Sequence, residues 1–197
     1  MQESCPCEAA SRTDRGVHAK GQTVQFYTTK EIPLEKLHRG LNAVLPPDIR
    51  ILKLESLEFH PTLDAKAKTY HYDLCLSPVQ DPFYRHLSWH YPYPIELSLM
   101  DKAATELIGI RDFSAFTTEP KKNPVCTLSK IELIPLKNNR LRISLTGDRF
   151  LYKMARTLAG TLANLGSGKL AALSAIDRTQ TGITAPAHGL TLFKVYY

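Results

Sequence analysis

Apolar positions along this chain follow two spacings, and each predicts its own elements. Alternating apolar and polar residues, rich in β-branched and aromatic types, predict strands over 21–28 (GQTVQFYT), 49–59 and 68–76. The stretches 125–134 and 140–146 read as a hairpin joined across Pro135 and Asn138-Asn139, and 190–197 as a closing strand. Helical spacing opens at Pro33, with Leu34, Leu37, Leu41 and Val44 on one face and Pro46-Pro47 as the stop. A second helix is expected over 97–108, after a loop crowded with Pro78, Pro82, Pro92 and Pro94. The strongest helix runs over 150–165, with the stripe Leu151, Met154, Leu158, Leu162 and Leu165. Strands and helices interleave and several strands meet at hairpins. A mixed α+β fold with a mostly antiparallel sheet flanked by helices follows.

Composition narrows the class only a little. With 197 residues, 43% of them hydrophobic, the chain can bury a sizeable core. Charges interrupt its apolar stretches well short of the roughly 18 residues that span a membrane. Residues 1–8 have neither the basic start nor the apolar run of a signal peptide, so a cytoplasmic protein is expected. Lys and Arg number 25 against 19 Asp and Glu, a net charge of +6 that is compatible with a polyanion partner. Lys66, Lys68, Arg149, Lys153 and Arg156 are scattered along the chain; a groove built from several elements needs such scatter, and so does an ordinary solvated surface. The four cysteines (5, 7, 75 and 126) read as reduced thiols without function. Cys5-Pro6-Cys7 is too tight for the usual zinc spacing, and Cys75 and Cys126 read as small buried hydrophobes on strands. The seven histidines show no metal-ligand pairing, so no metal is expected.

Three constellations carry candidate chemistry. In Arg12-Thr13-Asp14-Arg15-Gly16-Val17-His18, the Asp-x-Gly spacing fits a plain turn. The less common reading of that spacing is a carboxylate kept ionised by nearby guanidinium groups, available as nucleophile or base. In Lys66-Ala67-Lys68-Thr69-Tyr70-His71-Tyr72, basic residues beside rings suit a nucleic-acid groove or an amphipathic strand. On the long helix, Arg156 projects away from the leucine stripe, with Lys153 and Gly160 on its side. That face is either solvated or aimed into a cleft, with Gly160 admitting a close neighbour. Gly166-Ser167-Gly168-Lys169 is no phosphate loop: Ala163 and Leu170 stand where a Gly and a Ser or Thr are needed.

In order, these stretches resemble the tRNA pseudouridine synthase A family. The resemblance runs from the Asp14 loop through Leu41-Asn42-Ala43-Val44-Leu45-Pro46-Pro47-Asp48-Ile49, Phe59-His60 and Lys68-Thr69-Tyr70-His71-Tyr72. It continues in Asp112-Phe113-Ser114-Ala115-Phe116, Phe150-Leu151-Tyr152-Lys153-Met154-Ala155-Arg156 and Thr184-Ala185-Pro186-Ala187-His188-Gly189-Leu190. It implies two related halves, residues 1–62 and 63–197, in a pseudouridine synthase-like fold. It further implies an isomerase acting on uridine in the anticodon stem-loop of tRNA, as a homodimer, with no cofactor or metal. Asp14 is then the catalytic carboxylate and Arg156 its partner, Arg12 helps place the flipped nucleotide, and Tyr70 stacks on the uracil. Lys66, Lys68, Lys153 and Arg149 are expected to bind RNA. The alternative is a non-catalytic RNA-binding or tRNA-folding protein, or an inactive truncated fragment.

The chain also departs from the family. The family carries a further strand and helix ahead of the catalytic loop, so exposed apolar surface and unpaired edges are expected in the first half. Ser11 and Arg15 stand where the family often has Gly and Ala, and Thr62 and Cys126 where it often has Arg.

Overall fold

The computed structural model describes residues 4–119, 123–173 and 183–197. A seven-stranded sheet organises most of it, in the order β2 (His18–Ala19), β9 (Leu190–Tyr196), β4 (Ala67–Cys75), β8 (Arg140–Gly147), β7 (Val125–Leu136), β6 (Gly109–Asp112). The short β5 (Trp89–His90) also pairs with β4. All pairings are antiparallel except β2–β9 and β4–β5. A separate antiparallel pair joins β1 (Cys7–Ala9) to β3 (Val24–Phe26). The α-helices among the described residues are α1 (Leu34–Val44), α2 (Leu97–Leu107) and α3 (Met154–Gly166). The α+β class and mostly antiparallel sheet are as the sequence predicts.

Period-two patterning explains the sheet's two faces. Tyr70, Tyr72 and Leu74 of β4 align with Leu145, Ile143 and Leu141 of β8, and all six are buried in the core with α3. The opposite face is polar. There Asp73 meets its cross-strand partner Arg142 through a two-pronged fork of 2.7 and 2.9 Å, and His71 stacks on Phe193 at 4.1 Å. In α3 every residue except Arg156 and Asn164 is buried, because Ala155, Ala159, Gly160 and Ala163 leave room for neighbours on all sides. A solvated basic face is therefore ruled out for this helix. Cys75 and Cys126 are buried on β4 and β7, as expected.

Several predicted elements differ. No strand forms over 49–59, which pairs with no strand among the described residues; Ile51 instead donates its N–H to the Asn42 side chain at 2.8 Å. Only Val24–Phe26 of the predicted 21–28 is strand, matching the length of its partner β1. The long helix begins at Met154, not residue 150, because Lys153 takes a left-handed conformation (φ 58°) that helix cannot include. Pro135 lies inside β7 opposite Leu141, and the turn rests on Asn138 and Asn139, both at positive φ, which asparagine tolerates. In α1 the predicted apolar face is present but only partly covered: Leu37 and Leu41 are half-buried, none of its residues is fully buried, and Val44 is 79% exposed. Val24, Ile49, Leu52 and Leu57 are exposed as well.

Two outcomes follow for stability. A Cβ on Gly160 would lie 2.3 Å from the Ile183 carbonyl oxygen, so Gly160→Ala should cost about 1–3 kcal/mol, whereas Gly40→Ala, in open space on α1, should gain up to about 1 kcal/mol; chemical denaturation measures both. Burial holds His71 below its ordinary pKa of 6.5, with Arg142 and Lys20 adding to the drop and Asp73 and Glu132 opposing it. His188 is lowered too, chiefly by burial. Below pH 6.5 the unfolded chain takes up protons that the folded one resists, so stability falls on acidification through the lowered native pKa values. Thermal melts should drop between pH 7 and about 5, and His71→Phe should flatten the slope, leaving the His188 share.

Candidate active site

The segment from Ala10 to Val17 hangs between β1 and β2 over the start of α3. Ala10 is buried and donates its N–H to Thr23 O at 2.9 Å, continuing the β1–β3 pairing by one residue. Further on, Val17 N–H donates to Asp14 O at 3.0 Å, and Gly16 takes φ +87° inside that turn. Asp14 thus makes a turn and an ion pair at once. The Asp14 backbone makes a turn, while its side chain accepts a 2.6 Å hydrogen bond from Arg156 Nη1. This pair is mostly shielded, with Arg156 15% and Asp14 24% exposed at the side chain. Arg156 is fixed from a second side, since its Nε donates to Ala185 O at 2.8 Å. The 183–185 segment reaches α3 because Gly160 has no Cβ in its way. His18, at the far end of the loop, donates from Nε2 to His86 O at 2.6 Å.

Around this pair lies an open cleft of about 1200 Å³, large enough for a nucleotide and its flanks. Tyr70 lines it from β4, 6% exposed, with its ring edge-on to Phe150 at 4.9 Å. Burial pushes the Tyr70 phenol up; the Ser11 hydrogen bond pulls it back and the Asp14 charge adds to the rise. Tyr72, one pleat along, is fully buried with its hydroxyl on Pro186 O, and burial pushes that phenol up as well.

The other candidate residues divide. Arg12 is exposed on the rim and makes no side-chain bond among the described residues. Lys153 also lines the cleft, its ammonium 4.8 Å from the centre of the Tyr152 ring. Lys68 lines it but donates to Ala10 O at 2.7 Å, and burial holds its ammonium below the ordinary lysine range. Arg149 is tied to the Asn123 and Val125 carbonyls at 2.9 and 2.6 Å. Lys66 is exposed and is not among the residues lining the cleft. Sequence reasoning missed Ser11, Gln22 and the Ala185 carbonyl. Ser11 lies three residues before Asp14, but nothing local signals that its hydroxyl meets Tyr70, 59 positions away. Among the described residues no cluster of three or more His, Cys, Asp or Glu could hold a metal ion, and no helix is long and apolar enough to cross a membrane.

A shielded carboxylate–guanidinium pair in an open, partly basic cleft suits a reaction on a flipped-out nucleotide better than one on a small free metabolite. Known proteins agree with that class. A family model described as tRNA pseudouridine synthase matches residues 103–197. The tRNA pseudouridine synthase A 2 of Protochlamydia amoebophila is 47% identical, the match covering 100% of this chain and 80% of that protein. The tRNA pseudouridine synthase A of Bacillus pumilus is 39% identical over 99% of this chain and 83% of its own length. That of Thermoanaerobacter sp. (strain X514) is 41% identical over 95% and 81%. The chain belongs to the tRNA pseudouridine synthases.

The Arg156–Asp14 contact also predicts a stability effect. Arg156→Ala leaves a half-buried carboxylate without its donor and frees the Ala185 carbonyl. A loss of about 2 kcal/mol is expected, with faster amide hydrogen exchange over residues 10–17. Arg156→Lys, which can fill only one of the two contacts, should fall between.

Proposed function

We propose that this chain isomerises uridine to pseudouridine in tRNA, with Asp14 as the catalytic carboxylate and Arg156 as its partner. The observation that carries this reading is the 2.6 Å contact between them inside the cleft. In the reaction the C1′–N1 bond breaks, the freed uracil turns, C5 bonds to C1′, the C5 proton leaves to solvent and N1 takes up a proton in its place. Atoms and oxidation state balance without a co-reactant. Asp14 can serve by attacking C1′ or by removing a sugar proton, and both routes need an ionised carboxylate next to the ribose.

Base and sugar become reachable only when the uridine leaves its stack, at a cost of a few kcal/mol. Tyr70 offers the ring on which the uracil stacks, and Arg12 and Lys153 on the rim suit the flanking phosphates. Lys68 and Arg149, already bonded to backbone, serve RNA binding mainly by shaping the rim. The halves 1–62 and 63–197 meet at the cleft in this reading, Asp14 coming from the first, Tyr70 and Arg156 from the second. The uridine lies in the anticodon stem-loop, the enzyme works as a homodimer, and the reaction takes place in the cytoplasm, where tRNA matures.

Tritium release from tRNA labelled at uridine C5 tests the proposal. Asp14→Asn should lower release by at least about 10²-fold while tRNA binding persists. Release undiminished in that variant overturns the role of Asp14. Binding of tRNA by the unmutated chain without release favours a non-catalytic RNA-binding protein.

A further inference from the structure

Ser11 uses its backbone and side chain at once. Its N–H donates to Gln22 Oε1 at 3.3 Å, and its carbonyl accepts from Gln22 Nε2 at 2.6 Å. The Gln22 carboxamide therefore supplies one acceptor and one donor, as the backbone of a paired strand does. It does so where the β1–β3 pairing runs out, one residue beyond the Ala10–Thr23 bond. The Ser11 hydroxyl then reaches Tyr70 Oη at 2.7 Å. Tyr70 has little freedom of its own, buried on β4 and packed edge-on against Phe150. A continuous chain of contacts thus runs from β3's approach through the stem of the Asp14 loop to the ring at the cleft floor.

We propose that Ser11 is a positioning residue that couples Tyr70 to the Asp14 loop, with Gln22 holding Ser11 in register. This rests on the roles given above to Asp14 and Tyr70. Moving the loop against the ring displaces the carboxylate from the sugar of a stacked uridine, which slows the chemical step. Grip on the rest of the tRNA does not pass through this hydroxyl. The effect belongs in kcat, not KM.

Ser11→Ala should lower kcat for tritium release about tenfold with KM within about twofold, since misplacement by a fraction of an ångström is costly to the reaction. Ser11→Thr, which keeps the hydroxyl, should restore most of it. In a Tyr70→Phe background, Ser11→Ala should add little, the shared bond being already absent. Thermal unfolding of each variant separates these effects from loss of fold. An unchanged kcat in Ser11→Ala, no rescue by Thr, or an equal loss in the Tyr70→Phe background overturns the proposal. The Tyr70 ¹³Cζ resonance at neutral pH, assigned by its disappearance in Tyr70→Phe, gives a readout independent of turnover. Ser11→Ala should shift it, and an unmoved resonance also overturns the coupling. If the unmutated chain releases no tritium, the assigned reaction falls, and the resonance alone then decides whether Ser11 and Tyr70 are coupled.

Discussion

A guanidinium set into a helix that is buried on almost every other side has to find its counter-charge nearby, and the rest of this structure is arranged around that need. Among the residues of α3 only Arg156 and Asn164 escape full burial. Arg156 answers with two bonds, to the Asp14 carboxylate and to the Ala185 carbonyl, so one side chain joins the N-terminal loop, the long helix and the approach to the last strand. The pair spans 142 positions in sequence. Removing either partner strands a polar group in a partly shielded place, and that asymmetry makes the contact a constraint on the fold as well as a feature of the site.

The sheet supplies the platform. β9 pairs with both β2 and β4, so the strand that follows the Asp14 loop is locked one place away from the strand that carries Tyr70. Glycines set the spacing at two points. Gly160 admits the 183–185 segment to α3, and Gly189 lets the Tyr72 ring lie against the turn before β9, where a Cβ would sit 2.7 Å from it. Tyr72 in turn bonds Pro186 O, which keeps the Ala185 carbonyl within reach of Arg156. Few of these parts touch substrate in the proposed reaction. They hold a carboxylate and a ring at a set separation, and that arrangement is what catalysis by positioning requires.

Local pattern made much of this legible in advance. The 125–147 hairpin, β4, α2 and β9 follow from periodicity with small changes at their ends, because each buries one continuous apolar face. Asp14, Tyr70 and Arg156 were brought forward by motif order, and the three line one cleft. The failures share a cause: they depend on partners distant in sequence. An alternating run over 49–59 is strand only if another strand lies beside it, and among the described residues none pairs with it. Nor does local pattern show that the Lys68 ammonium meets a carbonyl 58 positions away. The clasp of Ser11, Gln22 and Tyr70 leaves no periodic trace at all.

The most direct test of the central contact is a double-mutant cycle on folding stability between Asp14→Asn and Arg156→Gln. A pair that organises the loop should show a coupling energy of about 1–3 kcal/mol, the double variant losing much less than the two single losses combined. Additive losses, within about 0.5 kcal/mol, would contradict the claim that this ion pair fixes the Asp14 loop to the helix.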